Sequence, residues 1–166
     1  MNNPNSQLIE YRIIKSIWFG FPFVNSQIRP KDSSNEVLTL STTITGDSII
    51  QRDCKNWIVF KRNDRIIVDG KAYGIIKKTK GEIQRGRQCY RIESEQGNYD
   101  LIVQPHLDNQ ALVLKDSLEV GGVAYTSTFF RHASVIDFFC QSKEDLIAVF
   151  VFALRFTERA DSYSGG

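Results

Sequence analysis

Short segments of alternating hydrophobic and polar residues run along most of this chain, and one stretch near its end does not alternate. Leu146 to Phe156, LIAVFVFALRF, is apolar on every side rather than along one stripe, so a helix built from it has no broad face to give to water. Ser142 with Asp145 three residues later has the form of an N-cap and capping box, which predicts a helix over about 143–158. Phe150 and Phe152 stand two positions apart, on different helix faces, so enclosure requires both to be sequestered. Burying eight large side chains there is worth about 1.5 to 3 kcal/mol each.

Ahead of that helix the period is two. Residues 8–18, 37–44, 48–51, 56–60, 65–68, 72–76, 89–93, 99–103, 111–114 and 123–130 have strand character, and 133–140 is read as a strand rather than a helical turn. Gly46-Asp47, Arg62-Asn63-Asp64, Asp69-Gly70 and Gln96-Gly97-Asn98 separate them as turns, Gly121-Gly122 opens the strand that follows it, and 20–36 is expected to be a loop. About ten strands at a spacing near ten residues are the mark of a sandwich or barrel. A lone all-round hydrophobic helix after them implies a closed or strongly curled sheet with the helix inside or plugging it. The alternatives are a helix shared between a sheet and a second subunit, or one inserted peripherally in a membrane.

Composition leaves this picture intact. At 166 residues, with 42% hydrophobic and 24% charged side chains, the chain has the size and core of one domain. Residues 1–7 are expected to be disordered, 8–158 to form the domain and 159–166 to be a polar tail. The nine apolar residues before Arg155 fall well short of the ~20 needed to span a bilayer, and the N-terminus shows no signal-peptide pattern. Cys54, Cys89 and Cys140, odd in number and without a CxxC pair, suggest small buried hydrophobes in a reducing compartment. With His106 and His132 they are too scattered for a zinc site, and no metal or cofactor is implied. His132, five residues before Asp137, is a thin candidate for a general base, and both histidines are expected in turns.

The closing segment DLIAVFVFALRF, Asp145 to Phe156, together with strand and turn units such as WIVFKRNDRIIVDGKAYGII, Trp57 to Ile76, resembles the tubby C-terminal-like superfamily, whose branches include LURP-one-related proteins and phospholipid scramblases. The resemblance spans nearly the whole chain and lies in hydropathy rather than in a polar motif. It implies a mainly β fold, a closed antiparallel β-barrel of about ten to twelve strands around a central hydrophobic C-terminal α-helix. It also implies binding of phospholipid at a membrane surface.

Charge suggests where such binding would occur. Lys71, Lys77, Lys78, Lys80, Arg85, Arg87 and Arg91 face a single acid, Glu82, between residues 71 and 91, although the net charge of the chain is only +2. The arm KKTKGEIQRGR, Lys77 to Arg87, is expected to be a hairpin or loop able to hold an anionic headgroup, with Lys77, Lys78, Lys80, Arg85 and Arg87 as the ligand-binding residues. The bland reading is a solvated edge protected by its lysines. The expectation is therefore a non-enzymatic, cytoplasmic binding module, peripheral at anionic membrane lipids, with nucleic acid disfavoured and no transmembrane segment. Two other readings are a lipocalin-like or pleckstrin-like small-ligand carrier, marked by an empty lumen, and a protein–protein scaffold that exposes the aromatic group of Trp18 to Phe23.

Overall fold

Twelve antiparallel strands close into a barrel around one helix. The computed structural model describes residues 8–16, 26–32, 35–36, 38–83, 86–104, 107–128 and 133–163, and within these no side chain at 15–16, 27, 80–83, 86–88, 107–108, 127–128, 133–134 or 157–163. The strands are β1 (Ile9–Ser16), β2 (Ser26–Pro30), β3 (Leu38–Thr42), β4 (Ser48–Arg52), β5 (Lys55–Phe60), β6 (Arg65–Val68), β7 (Lys71–Ile83), β8 (Gly86–Ser94), β9 (Gly97–Gln104), β10 (Leu107–Lys115), β11 (Leu118–Thr128) and β12 (Ala133–Cys140). Each pairs with its chain neighbour, and β1 pairs with both β2 and β12 to close the ring.

Closure leaves no open edge, and the alternation of the strands sorts side chains into lumen and exterior. Two neighbouring rungs show the sorting: Ile13 is opposite Ile28 and Ile136 and Ile28 opposite Leu38 on one, and Ile50 is opposite Ile58 and Leu40 on the other, all of them buried. The helix α1 (Leu146–Tyr163) fills the space they surround. Phe150 and Phe152 are both 0% exposed. The Phe150 ring meets Tyr11 of β1 and Phe138 of β12, with centroids 5.2 and 4.6 Å away, and also Trp57 of β5 at 5.6 Å. Since β5 lies nearly opposite β12 in the ring, only a helix inside the lumen can touch both.

Turns alternate between the two ends of the barrel. At the entry end, where α1 begins, Asp53-Cys54, Asp69-Gly70 and Asp116-Ser117 connect strands with positive φ at both residues, the mirror-image two-residue turn whose twist suits a hairpin. At the exit end lie the turns 43–47 and 61–64 and the end of the β7–β8 hairpin. The wall is uneven: β3 to β6 have 4 to 6 residues each, whereas β7 to β12 have 8 to 13.

Several sequence expectations change. The expected loop 20–36 contains β2, held by a buried Ser26 and Ile28, which raises the strand count to twelve. Gly121-Gly122 lies inside β11 and not at its start; a Cβ on Gly121 would press into the Phe139 carbonyl oxygen and come within 3.0 Å of Val149 Cγ2, so this glycine sets how closely the helix approaches the wall. The helix begins at Leu146, three residues later than expected, because the Ser142 hydroxyl bonds the Asp145 carboxylate (2.8 Å) and the first helical amide bond, Val149 N–H to Asp145 C=O, makes Asp145 the N-cap. It also continues to Tyr163, into the stretch expected to be tail. Cys89 and Cys140 are buried as expected, but Cys54 is exposed because it is a turn residue. Residues 1–7 and the aromatic group 18–23 lie outside the described residues.

Candidate functional site

With the lumen filled, chemistry is confined to the two ends and the outer wall. The cationic block divides on folding. Lys71 starts β7 at the entry end, while Lys77 and Lys78 lie toward the exit end, six or seven residues and about 20 Å along the same strand. Lys77, exposed on the outer face, pairs with Glu93 of β8 at 2.6 Å. Arg91 forms a two-pronged pair with Asp100 of β9 at 2.7 and 3.1 Å. Those two charges are locally neutralised. Lys78 is exposed opposite Tyr90 and pairs with no carboxylate among the described residues. Lys80 and Arg87 occupy the distal part of the hairpin by backbone position, and Arg85 lies outside the described residues, as do His106 and His132.

The exit end gains cations that linear proximity did not reveal. β6 pairs with β7 only from Lys71 to Ile75, so the hairpin rises past the rim formed by the β5–β6 turn. Arg62 and Arg65 are exposed on that rim. Among the described side chains, its acids Asp47 and Asp64 are already engaged. Asp47 accepts from Arg62 N–H at 2.9 Å and Lys61 Nζ at 3.0 Å, which hold its carboxyl below the usual range, and Asp64 pairs with Arg155 of the helix. Arg155 also lies over the Phe60 ring, 4.4 Å from its centroid. The signal that could have found this cluster is topological: every second turn of a meander falls at the same end.

The entry end has the opposite charge. Asp32, Asp53, Asp69, Glu95, Asp116, Glu119 and Glu144 are exposed in or beside its turns, against the exposed Lys31, Lys55, Lys71 and Lys143. Below them sits a buried network in which Asp145 accepts from Tyr99 OH (2.9 Å), Ser142 Oγ (2.8 Å) and Lys115 Nζ (3.3 Å). A carboxylate is favourable there, at the positive end of the helix dipole. Burial and the neighbouring Tyr73 and Asp145 push the Tyr99 hydroxyl pKa upward, and burial together with the Asp145 charge raises the Cys140 thiol to about 11. Beside it a cleft of about 590 Å³ is floored by Tyr11, Trp57 and Leu146, with the Arg52 guanidinium 3.7 Å above the Trp57 ring and 2.8 Å from Glu36.

No protein-family model, curated protein or solved structure matches the chain. Among the described residues no group of His, Cys, Asp or Glu could hold a metal ion, and no helix is long and apolar enough to cross a membrane. What this barrel can do therefore rests on its own geometry. Internal carriage of a ligand would require an open lumen, and α1 occupies it. Asp137, considered as a partner for His132, is bound by Arg12 at 2.7 and 2.9 Å and by Lys31 at 3.6 Å.

Proposed function

We propose that this protein is a non-enzymatic binding module, akin to the tubby-like domains, that docks peripherally on the anionic headgroups of phospholipids or phosphoinositides at a cytoplasmic membrane surface. One observation carries the reading: the long β7–β8 hairpin rises past the rim at the end of the barrel where the described cations outnumber the acids. A field of that sign attracts an anionic leaflet and weakens with salt. Lys78, Lys80, Arg85 and Arg87 are the hairpin residues assigned to the headgroups, while Lys77, already paired with Glu93, contributes less than its position in sequence suggests.

Liposome co-sedimentation tests it. Wild-type protein is expected to pellet with phosphoinositide-containing vesicles at physiological salt, and Lys78→Glu combined with Arg87→Glu to stay in the supernatant. Equal, negligible pelleting with neutral and anionic vesicles removes the proposal. A small-ligand binder is the second reading, and the entry-end cleft is the observation in its favour. Ligand-induced thermal shifts abolished by Trp57→Leu would establish it in place of the first.

A further inference from the structure

At the exit end a large apolar side chain is held in water by a tightly hydrogen-bonded turn. Ile44 is 89% exposed at the tip of the β3–β4 connection. Thr43 N–H donates to Asp47 C=O (2.8 Å), Gly46 N–H to Thr43 C=O (2.9 Å) and Asp47 N–H to Thr43 Oγ1 (3.0 Å). The Asp47 carboxylate then fastens the turn to Lys61 and to the Arg62 amide. The side chain has no route back to the core, and one isolated isoleucine is too small a patch for a stable protein interface.

We infer that Ile44 is the apolar contact of the exit end with an anionic bilayer, entering the headgroup–acyl boundary while exposed cations on the same rim meet the headgroups. The inference rests on the membrane reading above and adds its orientation, with the exit end down and α1 pointing its C-terminus at the lipid. Charge selects this end over the other. Leu118 is 72% exposed at the entry end, but it follows Asp116 and precedes Glu119, beside the acidic turns that an anionic leaflet repels. Ile44 instead shares its rim with Arg62, whose Cδ would lie 3.3 Å from a Cβ on Gly46, and with Arg65 on the next strand. An aliphatic group on a rim that also carries two exposed arginines has the composition of an interfacial anchor, in which apolar burial adds to headgroup attraction.

The test is partitioning of the full chain onto phosphatidylcholine vesicles with and without phosphatidylserine, for wild type, Ile44→Ser, Ile44→Leu and Lys78→Glu/Arg87→Glu, with circular dichroism confirming that each is folded. Ile44→Ser is expected to weaken partitioning to anionic vesicles about tenfold or more, Ile44→Leu to retain it, and the Ile44 contribution to persist when salt reduces that of the cations. If wild type binds and Ile44→Ser binds equally while the charge reversal does not, the Ile44 assignment falls and the membrane reading stands. If wild type binds neither vesicle, both fall. A loss in Ile44→Ser that Ile44→Leu does not restore also overturns the assignment, because hydrophobic burial does not distinguish the two aliphatic side chains so sharply.

Discussion

Phe150→Ala is the most direct test of the filled lumen. The ring is fully buried between Tyr11, Phe138 and Trp57, with centroid distances of 5.2, 4.6 and 5.6 Å. Truncating such a side chain costs about 3–5 kcal/mol, because the transfer energy is lost and the closed ring of strands cannot collapse onto the cavity. At 166 residues each kcal/mol moves Tm by about 2–4 °C, so a fall of order 10 °C is expected, with the midpoint of urea unfolding displaced at a constant slope. A double-mutant cycle with Trp57→Leu isolates the edge-on contact across the lumen; a coupling of about 0.5–1.5 kcal/mol is expected, and loss of the Arg52–Trp57 stacking cancels in the cycle. A cost under about 1 kcal/mol, additive with Trp57→Leu, would refute enclosure.

Gly121→Ala should destabilise by about 1–3 kcal/mol, since its Cβ meets the β12 backbone and Val149; an unchanged Tm would show that the helix does not approach there. In thiol titration with a disulfide reagent, Cys54 should react at once and Cys140 only on unfolding, because burial pushes the Cys140 thiol to about 11; a fast phase surviving in Cys54→Ser/Cys89→Ser would contradict this. The hydrogen bonds from Arg12, followed by the charge of Lys31, lower the Asp137 pKa, so its contribution is present above the ordinary carboxylate range and lost as pH falls through the depressed folded value. Asp137→Asn should accordingly cost about 1 kcal/mol or less near neutrality and nothing at strongly acidic pH, and a gap that widens in acid would reverse the sign.

The helix and most strands were legible because their signals are local. No face of LIAVFVFALRF can be left in water, and units such as Trp57 to Ile76 alternate between well-formed turns. β2 was not legible: Ser-Gln-Ile-Arg-Pro contains a single large hydrophobe, Ile28, and its strand character comes from β1 and β3 on either side. Gly121-Gly122 has the composition of a turn, and only the proximity of Val149 and Phe139 explains it within a strand. The candidate site was half legible. Composition located the basic hairpin, but Lys77–Glu93 and Arg91–Asp100 are cross-strand pairs that depend on register, and Arg62, Arg65 and Ile44 reach the same rim through topology. Charge runs counted along a sequence mix both faces and both ends of every strand they cross.

An all-round hydrophobic helix raises a problem of its own, because hydrophobic burial is non-directional and does not choose the rotation or axial position of a rod inside a tube. The structure answers with one polar contact at each end. Asp145 is held by Tyr99, Ser142 and Lys115 at the entry, and Arg155, ten residues or about 15 Å further on, by Asp64 and the Phe60 face at the exit. Sliding the helix by one turn in either direction would carry one of the two charges into the apolar lumen without its partners, at a cost of several kcal/mol. Asp145→Ala and Arg155→Met should therefore each lower stability, while the double variant should retain its far-UV circular dichroism and lose near-UV signal and methyl dispersion as the helix samples several registers. A double variant with the sharp aromatic spectrum of wild type would mean that side-chain shape alone, through interlocking at Gly121 and Phe150, sets the register.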